Sequence, residues 1–303
     1  MALALLGIDP AVTFDARDGK PAGVHVPGWI AREIALLVER HLGADWPDHQ
    51  DDEGWFQAMP AIPDEELWGA RQRLRGYLID FMRERARRRW TRDQASGASL
   101  VAHGTLLDPA ALTIGFASRV ADDRRPDIIF HDAERLAAIL TARRRPVQII
   151  VAGRAHAGDG PAKRHLQRLF ARALDPMFGG RLAFLEDYDR HAARLLAQGC
   201  DLWLSMPPAG GPAPLGELKA AINGVPPLAI EASGGDAARA RAFYSLLEEE
   251  LVPAFYHRDR AGIPVEWVAR VRDMVRTGIP RFSARRAVKA ATERLYNPAL
   301  RHV

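Results

Sequence analysis

Between residues 111 and 235, short apolar runs alternate with helical segments, and that alternation restricts the fold more than any other feature of the chain. The runs are LTIGF (112–116), VQIIVAG (147–153), LAFLEDY (182–188), DLWLSM (201–206) and PPLAIEA (226–232). Helical segments at 132–142, 161–174, 189–198 and 214–223 lie between them. Apolar strands joined by helices form a mostly parallel sheet covered on both faces. The right-handed crossover rule makes that sheet Rossmann-like α/β. In open parallel sheets ligands bind beyond the carboxyl ends of the strands. The loops that matter are therefore 117–127, 153–161, 186–190 and 206–215.

Helical patterning flanks this core. Residues 1–22 are irregular, with Pro10, Gly19 and Pro21. Residues 23–110 form a helical segment packed on the core. Within it, Ile30, Ile34, Leu37, Val38 and Leu42 follow helical spacing, and WPDHQDDEGW (46–55) is an acidic loop. A long helix follows over 62–90, with Pro63 and acids at its start and arginines at its end. Beyond the core segment 111–235, residues 236–303 return to helices, one of them capped by Ser283. No internal repeat or low-complexity segment is present.

Composition narrows the function classes. Of the 303 residues 48% are apolar and 26% charged, ordinary for a soluble globular protein. The single cysteine, Cys200, excludes an intramolecular disulfide and fits a reducing compartment. The opening MALALLGIDPAVTFDA lacks the basic region of a signal peptide, and no run approaches the roughly 20 apolar residues of a membrane span. The expectation is a cytoplasmic protein with no membrane or nucleic-acid partner. The arginine run at 83–89 lacks interleaved aromatics and reads as a solvent-exposed helix end. The net charge of +4, dominated by arginine, suits an anionic ligand. No metal spacing, GxSxG or Ser/His/Asp arrangement stands out, so no metal is expected.

Three stretches carry candidate chemistry. In GPAPLGELKAAINGV (211–225), Leu215, Leu218 and Ile222 form a narrow helical stripe. Lys219 falls about 40° from Leu215 at roughly 100° per residue, while Gly216 and Glu217 point away. Two readings stay open for Lys219. It is either a lysine snorkelling along an apolar edge or a partly desolvated amine fit to form a Schiff base. Asn223-Gly224 suits the helix C-terminus. In GFASRVADDRRPD (115–127), Arg119, Arg124 and Arg125 suit a phosphate clamp, but Asp122, Asp123 and Asp127 equally suit a solvated, internally paired loop. AGRAHAGDGPAKRHLQ (152–167) is a strand–loop–helix without GxGxxG.

Taken in order, AGVHVPGWIA, IPDEELW, LDPAALTIGFASR, RPVQIIVAGRAHAGDGPAKRHLQR, GRLAFLEDYD, LLAQGCDLWLSMP, LKAAINGV and PRFSARRAVKAATERLYNPA resemble the C-terminal half of α-glucan (glycogen/maltodextrin) phosphorylases. The similarity covers about residues 20–303. It implies a glycosyltransferase of two Rossmann-like domains, of which this chain holds the second. It further implies phosphorolysis of terminal α-1,4-glucosyl units to glucose 1-phosphate with pyridoxal phosphate. Lys219 falls at the Schiff-base position. Arg119 matches the arginine of the family's phosphate loop, Arg124 stands there in place of a lysine, and Gly216, Tyr188 and Asn223 fall at positions around the cofactor.

The pattern also departs from the family. Gly211 replaces a sugar-holding glutamate, and Pro214 and Leu215 replace the Gly and Thr that cradle the cofactor phosphate. Proline removes a backbone donor. Ser118 replaces a basic residue, Asp123 a tyrosine, Arg124 a lysine and Ala22 an asparagine, and EASGG occurs only later, at 231–235. The family's N-terminal half, with its acceptor-binding residues, has no counterpart here. Phosphorolysis needs substrates oriented in a closed, water-poor cleft. Each missing donor to a buried phosphate costs about 1–3 kcal/mol. The expectation is therefore weak or absent activity for the chain alone. Expected partners are an α-glucan or sugar phosphate and inorganic phosphate, with a separately encoded N-terminal half or a full-length phosphorylase. The rival readings are one half of a split phosphorylase and a non-catalytic sugar- or phosphate-binding regulatory subunit.

Overall fold

Five strands form one sheet in the order β3-β2-β1-β4-β5, and every pairing is parallel. They are β1 (Leu112–Arg119), β2 (Val147–Arg154), β3 (Leu182–Leu185), β4 (Leu202–Ser205) and β5 (Pro227–Ala229). The protein is represented by a computed structural model that describes residues 23–93, 96–119, 126–154, 158–205, 214–230, 235–293 and 297. The helices, in chain order, are α1 (Val26–Trp29), α2 (Arg32–Leu42), α3 (Asp64–Asp93), α4 (Gly97–Ala102), α5 (Ala133–Leu140), α6 (Gly160–Ala173), α7 (Arg190–Gly199), α8 (Leu215–Ala221), α9 (Asp236–Leu246), α10 (Val252–Tyr256), α11 (Val265–Phe282) and α12 (Ala284–Ala291). A π-helical stretch, Leu247–Leu251, joins α9 to α10.

Strand alternation divides the core into two faces. Val147, Ile149, Val151, Leu182, Phe184 and Leu204 look to one side, where α5, α6 and α9 cover them. Ile150, Ala152, Ala183, Leu185 and Trp203 look to the other, packed by α3, α7 and α8. With both faces covered, the strands read as continuous apolar runs. Asp132, Asp159 and Asp189 cap α5, α6 and α7, each accepting a backbone N–H of the first turn. Ser283 caps α12 in the same way, as its position in the sequence predicts.

The sheet and helix assignments follow the sequence pattern, with instructive differences. β1 runs on to Arg119, and β3 stops at Leu185 rather than Tyr188. It stops because Asp187 takes a left-handed backbone conformation (φ 51°), which turns the chain away from the sheet. The 18-residue α11 starts without a capping side chain, and Gly278 and Pro280 sit inside its last turns. That glycine lets α11 approach α8 closely; a Cβ there would lie 3.1 Å from the Ala221 carbonyl oxygen.

The long helix α3 holds two fully buried arginines. Arg71 donates to the carbonyls of Gln198 (2.6 Å), Asn223 (3.1 Å) and Cys200. Arg75 donates to Pro109 O (2.6 Å) and to Asp201 Oδ1 (2.7 Å), whose other oxygen accepts the Thr113 N–H at 3.0 Å. These contacts fasten α3 to the starts of β1 and β4 and to the end of α8. The run at 83–89 is not a free helix end either. Arg83 donates to Leu107 O, Arg85 to Asp187 O, and Arg89 pairs with Glu186, so its middle is folded onto the turn after β3.

Candidate functional site

The strand order reverses between β1 and β4, where α/β sheets open their ligand crevice. Helix α8 follows β4 at that crevice and carries Lys219. Its burial differs from the expected stripe. Leu218 and Ile222 are buried, but Leu215 is 55% exposed and Glu217 only 5%. The reason is that α8 packs against α7 on one side, α11 on another and β4 beneath, so more than one face is inside. Gly216 also turns inward. A Cβ on it would lie 2.5 Å from Trp203 Cζ2, so glycine is needed there for the indole. The Ser205 hydroxyl donates to Glu217 Oε2, and burial raises the Glu217 carboxyl above its ordinary range.

Lys219 is half-buried with its ammonium 3.7 Å from the centre of the Trp29 ring. Burial first, and then the charge of Arg190 on α7, lowers its pKa. Trp29 is held firmly beneath it. Its carbonyl accepts from Gln198 Nε2 at 3.0 Å and Asn223 Nδ2 at 3.1 Å. Arg194 donates to the adjacent Gly28 carbonyl at 2.8 Å. Asn223 itself is fully buried and uses its whole amide internally. Nδ2 also donates to the Lys219 carbonyl (2.8 Å), and Oδ1 accepts the Ala31 N–H (2.6 Å). Asn223 thus ties the Lys219 turn to the α1–α2 corner and stands behind the site rather than in its wall.

Tyr188 sits in the turn between β3 and α7, packed against the core, and burial pushes its phenol well above the ordinary tyrosine range. The neighbouring Cys200 thiol is fully buried and pushed up to about 12, which leaves it unreactive. Arg119 ends β1, in register with Arg154 of β2. Arg124 lies outside the described residues, as do residues 206–213 of the loop before α8. Lys219 and Asn223 are therefore brought together, Tyr188 and Arg119 occupy other strand ends of the same rim, and Gly216 serves packing. Trp29, Arg190, Ser205 and Glu217 are the neighbours that spacing along the chain did not reveal. Among the described residues no cluster of three His, Cys, Asp or Glu side chains is placed to hold a metal, and no helix is long and apolar enough to cross a membrane.

Glycogen phosphorylase of Aquifex aeolicus is 38% identical to this chain over 302 residues, covering 92% of it and 44% of the relative. Maltodextrin phosphorylase of Thermococcus litoralis is 31% identical over 309 residues, covering 93% and 36%. The chain is homologous to the C-terminal half of the glycogen and maltodextrin phosphorylases. It spans less than half the length of these curated phosphorylases. Among solved structures, Anabaena HepE, crystallised with UDP and glucose, aligns at 17% identity over 62% of this chain and 49% of its own, with a TM-score of 0.40, an overlap too loose to carry an argument. No family model matches the chain. In this phosphorylase homologue, then, the lysine that resemblance marks out is a partly desolvated amine on an aromatic face, on the helix that follows β4.

Proposed function

We propose that the chain is an α-glucan phosphorylase-type glycosyltransferase domain that keeps the lysine end of a pyridoxal phosphate site and lacks much of the phosphate end. One observation carries the reading: the Lys219 amine, on the helix that follows β4, is half-buried, has a lowered pKa and lies over Trp29. A lysine so placed has more neutral, nucleophilic amine at working pH than a surface lysine.

The described residues beside it do not fit the cofactor's phosphate. Pro214, which opens α8, has no N–H, and the N–H groups of Glu217 and Leu218 are already bonded to the Pro214 carbonyl. The buried Glu217 carboxyl occupies the first turn, where an anion would need donors. Trp203 leaves no room for a side chain at Gly216. In the chain by itself we expect weak phosphorolysis at most, with an α-glucan and inorganic phosphate as the ligand classes.

Incubation of the full chain with pyridoxal phosphate, borohydride reduction and peptide mass spectrometry tests this. The expected result is substoichiometric labelling at Lys219, absent in Lys219→Ala, with no glucose 1-phosphate released from maltodextrin. Near one-to-one labelling of Lys219, or release of glucose 1-phosphate, would overturn the incomplete-site reading. Labelling spread evenly over surface lysines would overturn the special standing of Lys219.

A further inference from the structure

His103 follows the last turn of α4, and its side chain is buried against the turn that leaves β3. Nδ1 lies 2.5 Å from the Ser99 carbonyl oxygen. Nε2 lies 3.4 Å from Glu186 Oε1 and makes no hydrogen bond among the described residues. Both ring nitrogens therefore face acceptors. A neutral imidazole has one N–H and one lone pair. With the hydrogen on Nδ1, the Nε2 lone pair meets the carboxylate. With the hydrogen on Nε2, the Nδ1 lone pair meets the Ser99 carbonyl, and the Ser99 hydroxyl, 3.4 Å away, does not relieve that contact. Imidazolium, a donor at both nitrogens, satisfies both oxygens.

The surroundings resist that charge without forbidding it. Helix α3 brings Arg85, Arg89 and Arg92 to the recess beside the ring, and the turn brings Glu186 and Asp187. Arg89 pairs with Glu186 Oε2, and Arg85 lies 3.8 Å from the Asp187 carboxylate. Helix α6 presents the Phe170 ring, 5.3 Å from the imidazole between centroids, and its Lys163 lines the adjoining cavity with Glu186. Burial lowers the His103 pKa, the Ser99 carbonyl raises it and the Arg89 charge lowers it again, for a net downward shift. The proton is taken up below the ordinary histidine value of about 6.5. One carboxylate thus has two cationic suitors, an arginine that is always charged and a histidine charged only on the acid side.

We propose that Glu186 is the catch of a proton-operated clasp. When His103 is protonated, Nε2–H donates to Oε1 while Arg89 holds Oε2, so Glu186 joins α4 to α3 and pins the turn after β3. When His103 is neutral, Arg89 alone holds the turn. The turn carries Tyr188 and Asp189, the cap of α7, and forms one wall of a cavity of about 550 Å³. Acid therefore stiffens that wall, and neutral pH loosens it. The restraint is local. A folded-state pKa below the unfolded one means that protonation costs overall stability as pH falls below about 6.5.

Histidine-detected NMR of the full chain, titrated from pH 8 to pH 5, tests the clasp together with hydrogen-exchange protection of the Asp187 and Tyr188 amides. The His103 midpoint should lie below the ordinary histidine value. Glu186→Gln should lower it further by about half a unit, and Arg89→Gln should raise it. Coupling is reciprocal, so protection of the two amides should fall about threefold as His103 loses its proton. In His103→Gln that protection should not change across the titration. A midpoint unmoved or raised by Glu186→Gln would show a merely buried histidine and overturn the proposal. The same pH dependence of protection in His103→Gln and the unaltered chain would also overturn it, because the turn would then answer to another group.

Discussion

Replacing Trp29 by leucine should make Lys219 more reactive, although nothing about the lysine itself changes. The ammonium lies 3.7 Å from the indole centroid, inside the range where the ring face stabilises a cation. A contact of this kind contributes about 0.5–2 kcal/mol to the charged form. Leucine keeps the site apolar and removes the ring, so burial and the Arg190 charge then act unopposed to lower the lysine's pKa. At a tenfold change per 1.4 kcal/mol, the neutral fraction below the midpoint should rise roughly two- to thirtyfold. Reductive methylation read at the Lys219 peptide across pH 7–11 measures this directly. The midpoint should move to lower pH with the high-pH plateau unchanged. Arg190→Gln should move the midpoint the other way, because it removes the like charge. A higher plateau with no change of midpoint would mean that Trp29 only blocks access. Two variants shifting in the same direction would refute the electrostatic account.

Two further perturbations test the frame behind the site. Asp201 is fully buried between Arg75 at 2.7 Å and Arg71 at 4.0 Å, so Asp201→Asn leaves buried guanidinium charge uncompensated and should cost about 3–5 kcal/mol in urea unfolding. A loss below about 1 kcal/mol would show that the cluster does not fasten α3 to the sheet. Burial raises the Glu217 carboxyl, so the folded state keeps that proton to higher pH than the unfolded chain. The resulting stability is full at low pH and declines as pH rises from about 4.3, the unfolded value, through the folded one. Glu217→Gln should therefore flatten the fall in urea midpoint between pH 5 and pH 8, and an unaltered slope would count against a buried, protonated carboxyl.

The sheet was legible because a strand buried on both faces leaves a continuous apolar run that needs no knowledge of its neighbours. All five runs became strands, and Ser283 became the cap of α12. What failed to show were features whose cause lies elsewhere in the chain. Arg71 and Arg75 look like part of a polar helix face, yet they are buried because carbonyls of residues 198, 200, 223 and 109, together with Asp201, surround them. Helix α11 is broken on paper by Gly278 and Pro280, and the glycine is tolerated because α8 packs against it.

The same distinction explains the site. Periodicity correctly put Lys219 near an edge but wrongly sent Glu217 and Gly216 to solvent, since it assumes a helix with a single buried face. Helix α8 lies between α7, α11 and β4, so Glu217 had to find a hydroxyl inside and Gly216 had to clear an indole. Trp29 reaches the lysine across the fold through Asn223, a hydrogen bond spanning 194 residues that no local pattern encodes. Resemblance could mark the lysine and its changed loop, but only the packing shows what now surrounds it. The aromatic face favours the charged form of the amine, while burial and the like charge favour the neutral one, and that balance can be shifted from either side. The lysine's chemistry is therefore governed by α1 and α7 as much as by the loop that precedes it.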